Sequence, residues 1–176
     1  FTVEGDRLTV EVRFFDCVTE RLVIGKKFSG SVKNPRRIIH YFSDTVYEEL
    51  TGKKGVFTTK ILFVSGSGGN KEIYAADYDG KNAVKLTRNK SINLAPQWSP
   101  DGQKVLYSLS GPTGISLILR DLGSQTSHVV HTGSDLTYVS ALNEDGRYVA
   151  FLDSRVSSNG LTTATDLLFY DVQEQT

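Results

Sequence analysis

Landmarks that recur 44 residues apart constrain this chain more than any other feature. "KILFVS" at Lys60, "KVLYSL" at Lys104 and "YVAFLD" at Tyr148 stand 44 residues apart each time. Asp101-Gly102 returns as Asp145-Gly146, and Asp77 of "AADYDG" returns as Asp121 of "LRDLGS", at the same interval. The next copy, Asp171 of "LFYDVQ", follows 50 residues on, which calls for an insertion of six at "SSNGLTTAT". An all-β repeat of about 40 to 45 residues with four short strands is the period of a β-propeller blade. Asp-Gly suits tight turns. The apolar run after it reads as the strand nearest the axis, buried on both faces. "IYAADYDGKNAVKLT" reads as a middle strand, a turn at Asp79-Gly80 and an outer strand. Lys60 to Thr176 holds 117 residues, about 2.7 repeats. A ring needs about four blades or more to close. No methionine occurs in the chain, so an excerpt of a longer protein is expected.

Before the repeats the pattern differs. In "RLTVEVRFF", Leu8, Val10, Val12 and Phe14 alternate with Thr9, Glu11 and Arg13, as in a half-buried strand. "LVIGKKFSGSV" returns after "DCVTER", which predicts a hairpin. The period then becomes 3.6. Asn34 can cap, Pro35 suits the first helical position and Gly52 is a good stop. Ile38, Ile39, Phe42, Val46 and Leu50 make one apolar stripe, so a helix is expected over about 35–50, packed on the hairpin. The fold class is therefore mixed: the end of a small α+β domain over 1–57, then an incomplete all-β propeller over 58–176, with blades 1, 2 and the start of 3.

Charge narrows the partners. The 20 basic residues match the 20 acidic ones, and neither side of Lys60 carries the basic excess that phosphate-backbone binding needs. Nucleic acid is not an expected partner. No stretch approaches the roughly 20 apolar residues of a membrane span, so direct membrane insertion is not expected. A single cysteine, Cys17, excludes an internal disulfide and any cysteine-rich metal site.

The stretch Asp44 to Phe57, "DTVYEELTGKKGVF", runs straight into the repeats "ADYDGKN" (Ala76 to Asn82) and "APQWSPDGQKVLYS" (Ala95 to Ser108). Together these resemble the TolB family, the soluble periplasmic component of the Tol-Pal envelope system. The resemblance implies an N-terminal α/β domain, a six-bladed propeller, no catalysis and no cofactor. It also implies that the propeller binds the peptidoglycan-associated lipoprotein Pal and that the mature N-terminus binds TolA. That N-terminal segment would precede Phe1, and the later blades would follow Thr176. The second repeat departs from the pattern, with "SALNEDG" in place of "PQWSPDG" and Leu142 at the tryptophan position.

Several stretches invite chemical readings, and each has a plainer one. Ser99 and Asp101 would need a histidine to form a hydrolytic triad. His40, His128 and His131 sit in no nucleophile setting, so "SPDG" reads as a turn. "VSGSGGN" (Val64 to Asn70) matches neither a phosphate-binding loop nor a nucleophile elbow and reads as a hairpin tip. "DYDGKN" (Asp77 to Asn82) resembles the start of a calcium loop but lacks its bidentate glutamate. "VKNPRR" reads as a solvated helix start. Trp98 reads as a core anchor between blades. No catalytic, cofactor or metal residue is assigned.

Propellers present ligands at the mouths of the central channel, from loops that enter each innermost strand. Here those loops are Arg88 to Pro96 and His131 to Val139, and the candidate partner-binding residues are Asn93, Asp135, Leu136, Thr137 and Tyr138. Two functional classes follow. The first is a non-enzymatic periplasmic interaction module of the Tol-Pal type, supporting outer-membrane integrity and cell division. The second is the propeller domain of a prolyl-oligopeptidase-like or tricorn-like hydrolase. A weaker third is a stand-alone protein that dimerises to cover open blade edges.

Overall fold

A computed structural model describes residues 1–112, 114–133, 136–156 and 162–175. The chain forms two compact units, Phe1–Ile61 with Ala76–Asn82, and Leu62–Ala75 with Ala83–Thr176.

In the first unit, strands β1 (Thr2–Glu4), β2 (Arg7–Asp16) and β3 (Arg21–Ser31) form an antiparallel sheet in that order. β2 and β3 are the expected hairpin. Leu8, Val10, Val12 and Phe14 are half-buried, while Glu11 and Arg13 face water. The Asp16 carboxylate closes the turn by accepting from the Val18 and Thr19 N–H groups at 2.8 and 3.2 Å. Helix α1 (Pro35–Thr51) starts on Pro35 and closes at Gly52, whose N–H donates to Glu48 O at 2.8 Å. It packs on β3 and β2. Ile38 is buried, Phe42 and Val46 are half-buried, and Phe42 meets Phe28 edge-on at 6.3 Å. Ile39 and Leu50, expected in the buried stripe, are exposed. The stripe is wider than the sheet face that covers it.

The junction after α1 is built around one carboxylate. Asp44 accepts from the Phe57 N–H (2.8 Å), the Thr58 N–H (3.0 Å) and the Thr58 hydroxyl (2.6 Å). The chain passes so close to the helix that a Cβ on Gly55 would lie 2.6 Å from the Asp44 Cα. Phe57 then packs edge-on between Tyr47 and Tyr78, with ring centroids 6.4 and 5.5 Å away. Aspartate, a side-chain-free glycine and an aromatic are thus each needed at their places in "DTVYEELTGKKGVF".

The repeats form three sheets. β4 (Lys60–Ser65), β5 (Glu72–Asp77) and β6 (Val84–Lys85) make the first. β7 (Ile92–Trp98), β8 (Lys104–Gly111), β9 (Gly114–Asp121) and β10 (Ser127–Gly133) make the second, a four-stranded meander. β11 (Leu136–Leu142), β12 (Tyr148–Val156) and β13 (Thr162–Asp171) make the third. The 44-residue landmarks fall on equivalent strands: β4, β8 and β12 carry the apolar runs. β12 is one residue longer than β8, β13 two longer than β9, and their connection three longer, which locates the six-residue insertion.

β8 shows why its sequence is apolar without alternation. Val105 and Tyr107 join Ile73 and Ile118 in one buried cluster, with Leu62 and Val64 packed against it. Leu106, on the opposite face, joins Leu117, Leu119, Val130, Val149, Phe151 and Tyr170 in another. One face of the second sheet therefore packs on the first and the other on the third. Trp98 packs against the first of these clusters. The expectation that the run after Asp-Gly is the innermost strand is corrected. β8 lies inside its sheet, and the edge belongs to β7, which occupies most of the stretch expected to be a loop. Among the described residues no helix is long and apolar enough to cross a membrane, which says nothing of strand-built membrane proteins.

Candidate interaction surface

The first strand of each repeat was hidden by its own backbone. In β7, "INLAPQW", Ala95 takes a positive φ of 49° and Pro96 follows, so register with β8 breaks between Leu94 and Gln97. A proline and a bulge belong at a sheet edge, where one side of the strand has no ladder to interrupt. β11 repeats the device, with its register against β12 breaking between Val139 and Ala141. Asn93 stands opposite Leu109, and 44 residues later Thr137 stands opposite Asp153. Leu136 and Tyr138 pair with Ser154 and Leu152. The candidates Asn93, Leu136, Thr137 and Tyr138 thus lie in two edge strands rather than in loops, and Asp135 lies outside the described residues.

Asn93 has no exposed surface and anchors a polar weld between the first two repeat sheets. Its Nδ2 donates to Lys71 O (2.7 Å) and Asn89 Oδ1 (2.8 Å) and lies 3.4 Å from Glu72 Oε2. Lys71 and Ile92 form a parallel bridge, with Lys71 N–H donating to Ser91 O and Asn93 N–H to Lys71 O, both at 2.9 Å. Glu72 is buried as well. Its Oε2 accepts from the Thr87 hydroxyl at 2.5 Å and its Oε1 from the Lys90 N–H at 3.1 Å, with Lys85 Nζ 3.5 Å away. Burial pushes the Glu72 carboxyl up, yet the bonds from Thr87 and Lys90 and the Lys85 charge outweigh it, leaving the pKa below the ordinary value. Beside this fixed network Leu94 is 40 % exposed. The start of β7 is a rigid polar base with an apolar side chain at its rim.

The groups considered for catalysis are committed elsewhere. Ser99 is buried, and its hydroxyl meets Asp101 Oδ1 at 2.5 Å, accepts from Lys104 N–H at 2.8 Å and approaches Lys104 O at 3.1 Å. Asp101 also accepts from Gln103 N–H at 3.0 Å. The Ser99 bond, then the Gln103 bond, hold its carboxyl below the ordinary range. Gly102 sits at φ 68° and Gly146 at 72°, left-handed positions that glycine occupies without strain. In the next repeat Asn143 does the work of Ser99: its Oδ1 accepts from Tyr148 N–H at 2.8 Å, as Ser99 Oγ accepts from Lys104 N–H. Serine and asparagine are equivalent here because the turn needs an oxygen, not a nucleophile.

The histidines have other partners. His128 Nε2 meets the Tyr170 hydroxyl at 2.8 Å, His131 Nε2 lies 3.3 Å from Asp153 Oδ2, and His40 Nε2 lies 3.4 Å from Asp79 Oδ2. The recurring aspartates tie strand ends to turns. Asp121 Oδ1 accepts from Gly123 and Ser124 N–H groups at 2.9 and 2.8 Å, and Asp171 Oδ1 from Gln173 and Glu174 at 2.9 and 3.2 Å. Arg147 grips the other oxygen of Asp171 through Nε and Nη2 at 2.9 and 2.8 Å, and this contact above all lowers its pKa to about 2. In "DYDGKN", Asp77 is held by Lys60 at 2.7 Å and Asn82 at 2.6 Å, and Asp79 pairs with Arg36. Among the described residues no group of three or more His, Cys, Asp or Glu could hold a metal.

Comparison with known proteins agrees with this architecture. The family model described as "TolB beta propeller domain" matches residues 47–163. "Tol-Pal system protein TolB" of Desulfosudis oleivorans is 43 % identical over 121 residues, 69 % of this chain and 28 % of that protein. The protein of the same name from Geobacter sulfurreducens is 46 % identical over 105 residues, 60 % of this chain and 24 % of that protein. The chain thus spans about a quarter of the length of these curated relatives. In fold it is similar to the crystal structure of TolB from Acinetobacter baumannii, with a TM-score of 0.86 and 22 % identity over 99 % of this chain and 43 % of that one.

Proposed function

The chain belongs to the TolB β-propeller family, and on that premise we propose that it is a non-catalytic protein-interaction module of a Tol-Pal-type envelope system. Its compartment is the periplasm. Residues 1–57 close an N-terminal α/β domain and 58–176 supply the first blades of a propeller. The propeller binds a peptidoglycan-associated lipoprotein of the Pal type and so supports outer-membrane integrity and cell division. A TolA-like protein engages the N-terminal segment of the whole protein.

One observation carries the reading: β7 and β11 present equivalent bulged edges 44 residues apart, placing Asn93 and Thr137 at the same register position. First strands of blades line the channel of a propeller, so Asp135, Leu136, Thr137 and Tyr138 are the proposed contact residues, together with Leu94 of β7. Asn93 acts beneath them by holding β7 in place. The commitment of Ser99 and Asp101 to a turn supports the non-catalytic part.

The test is a calorimetric titration of the soluble domain of a Pal-type lipoprotein into the protein that carries this chain. Thr137→Arg and Tyr138→Ala are each expected to weaken binding about tenfold or more, as truncation at an interface centre does, while Asp16→Ala leaves it unchanged. Binding that ignores both β11 substitutions, or no binding at all, would overturn the proposal.

A further inference from the structure

A cleft of about 500 Å3 lies between the first two repeat sheets, with no residue of β7 or β11 in its lining. Leu86, Leu109 and Ile118 supply its apolar lining, and Arg88, Arg120 and Tyr107 its polar one. The two arginines lack neutralising partners. Arg88 makes no hydrogen bond or ion pair among the described residues. Arg120 donates only to neutral oxygens, from Nη1 to Ser127 Oγ at 3.2 Å and from Nη2 to Gln125 Oε1 at 2.8 Å. Its Nε is buried with no hydrogen-bond acceptor among the described residues. A buried donor left unmade is costly, and a guanidinium is a rigid fork shaped for a carboxylate.

The nearby acidic groups do not fill this role. Asp121, next along β9, spends its carboxylate on the Gly123 and Ser124 N–H groups. Glu72 is taken by Thr87, Lys90 and Lys85. Burial, first among the influences on Tyr107, raises its pKa, so its phenol keeps its proton as a donor at neutral pH.

We propose that this cleft is a docking site for an acidic peptide segment. Such a segment sets a carboxylate on Arg120 and Arg88 and an adjacent aliphatic side chain on Leu86, Leu109 and Ile118. Two positive charges without carboxylate partners select the acidic group, and the apolar lining selects the residue beside it. No β7 or β11 residue lines the site, so it is a different surface from the proposed Pal-type one, although Arg88 begins the loop that leads into β7 and Asn89 on the cleft wall bonds Asn93.

The probe is the blocked peptide acetyl-Leu-Glu-Leu-amide, with acetyl-Leu-Gln-Leu-amide as its neutral twin, titrated into the 15N-labelled full chain. The Arg120 Nε–H resonance is expected to shift saturably with the glutamate peptide alone. Arg120→Gln is expected to weaken binding about tenfold or more, the scale of a charge-assisted bond. Arg88→Gln, at an exposed position whose loss does not threaten the fold, is expected to weaken it several-fold. An unmoved Nε–H signal, equal binding of the two peptides, or indifference to Arg88→Gln would overturn the proposal. So would hexanoate binding as tightly as the peptide, which would make this a small-carboxylate site. Loss of Pal-type binding with the peptide response intact would refute the other reading and leave this one standing.

Discussion

If facing sheets supply the stability of this chain, Leu106→Ala and Phe169→Ala should behave as opposites. Both residues sit in apolar stretches of strand, at "KVLYSL" and "LLFYD". Leu106 has no exposed surface and lies among Leu117, Leu119, Val130, Val149, Phe151 and Tyr170. Truncation to alanine removes three carbons, about 2.4 kcal/mol at ~0.8 kcal/mol per buried carbon. A residual cavity of about 50 Å3 adds about 1.2 kcal/mol at ~24 cal/mol per Å3, giving about 3.5 kcal/mol in all. Phe169 is 66 % exposed, opposite Ala150 on the face of the third sheet that turns away from the second. Its truncation should cost at most about 1 kcal/mol. The assay is urea unfolding followed by fluorescence of Trp98, the single tryptophan, which packs against the neighbouring cluster. With a slope of about 2 kcal/mol per M, the midpoint should fall by about 1.8 M for Leu106→Ala and by less than about 0.5 M for Phe169→Ala. Equal shifts in the two variants, at equal slopes, would refute the assignment of faces.

Three further outcomes follow from particular bonds. Asn93→Ala should cost about 1 to 3 kcal/mol in the same assay, because Asn89 loses both its bonds to the buried Asn93 amide while Lys71 O keeps only the backbone N–H; an unchanged midpoint would mean that the weld is not structural. Gly55→Ala should loosen the end of α1 by forcing the chain off Asp44, read as earlier proteolytic cleavage after Gly52; unaltered cleavage would count against the close approach. Asp171 has its carboxyl lowered from 3.8 to about 2, so its contribution is full above pH 4 and fades as pH falls through about 2. In Arg147→Gln most of that contribution should be missing above pH 4, so stability should change less between pH 4 and 2 than in the parent, and identical acid profiles of variant and parent over that range would contradict the pairing.

The landmarks were legible because turns need particular atoms. Asp-Gly at 101 and 145 marks a left-handed glycine, and Asp77, Asp121 and Asp171 mark carboxylates that accept from turn groups or neighbouring side chains. The β7 strand was not legible, since Ala95 and Pro96 interrupt its alternation and its most buried side chain is the polar Asn93. Periodicity counts apolar residues, so a weld made of Glu72, Thr87, Asn89 and Asn93 leaves no trace in it. The alternating side-chain oxygens of Thr87, Asn89 and Ser91, just before Asn93, could have been read as a cluster of turn-forming side chains. In α1 the reverse happened: an apolar stripe predicted burial, but Ile39 and Leu50 lie beyond the sheet that covers Ile38. The stretch Asp44 to Phe57 was legible as a motif, while its reason, one carboxylate bridging helix and chain, needed coordinates.

In the proposed module the two bulged strands β7 and β11 form the partner-facing surface. Hydrogen–deuterium exchange on the protein that carries this chain, with and without the soluble domain of a Pal-type lipoprotein, reads that surface strand by strand. Slowed exchange confined to the starts of β7 and β11, at Ile92–Leu94 and Leu136–Val139, is the expected result. Unchanged exchange there, with protection appearing on α1 or on the outer strands β6 and β10 instead, would contradict the account.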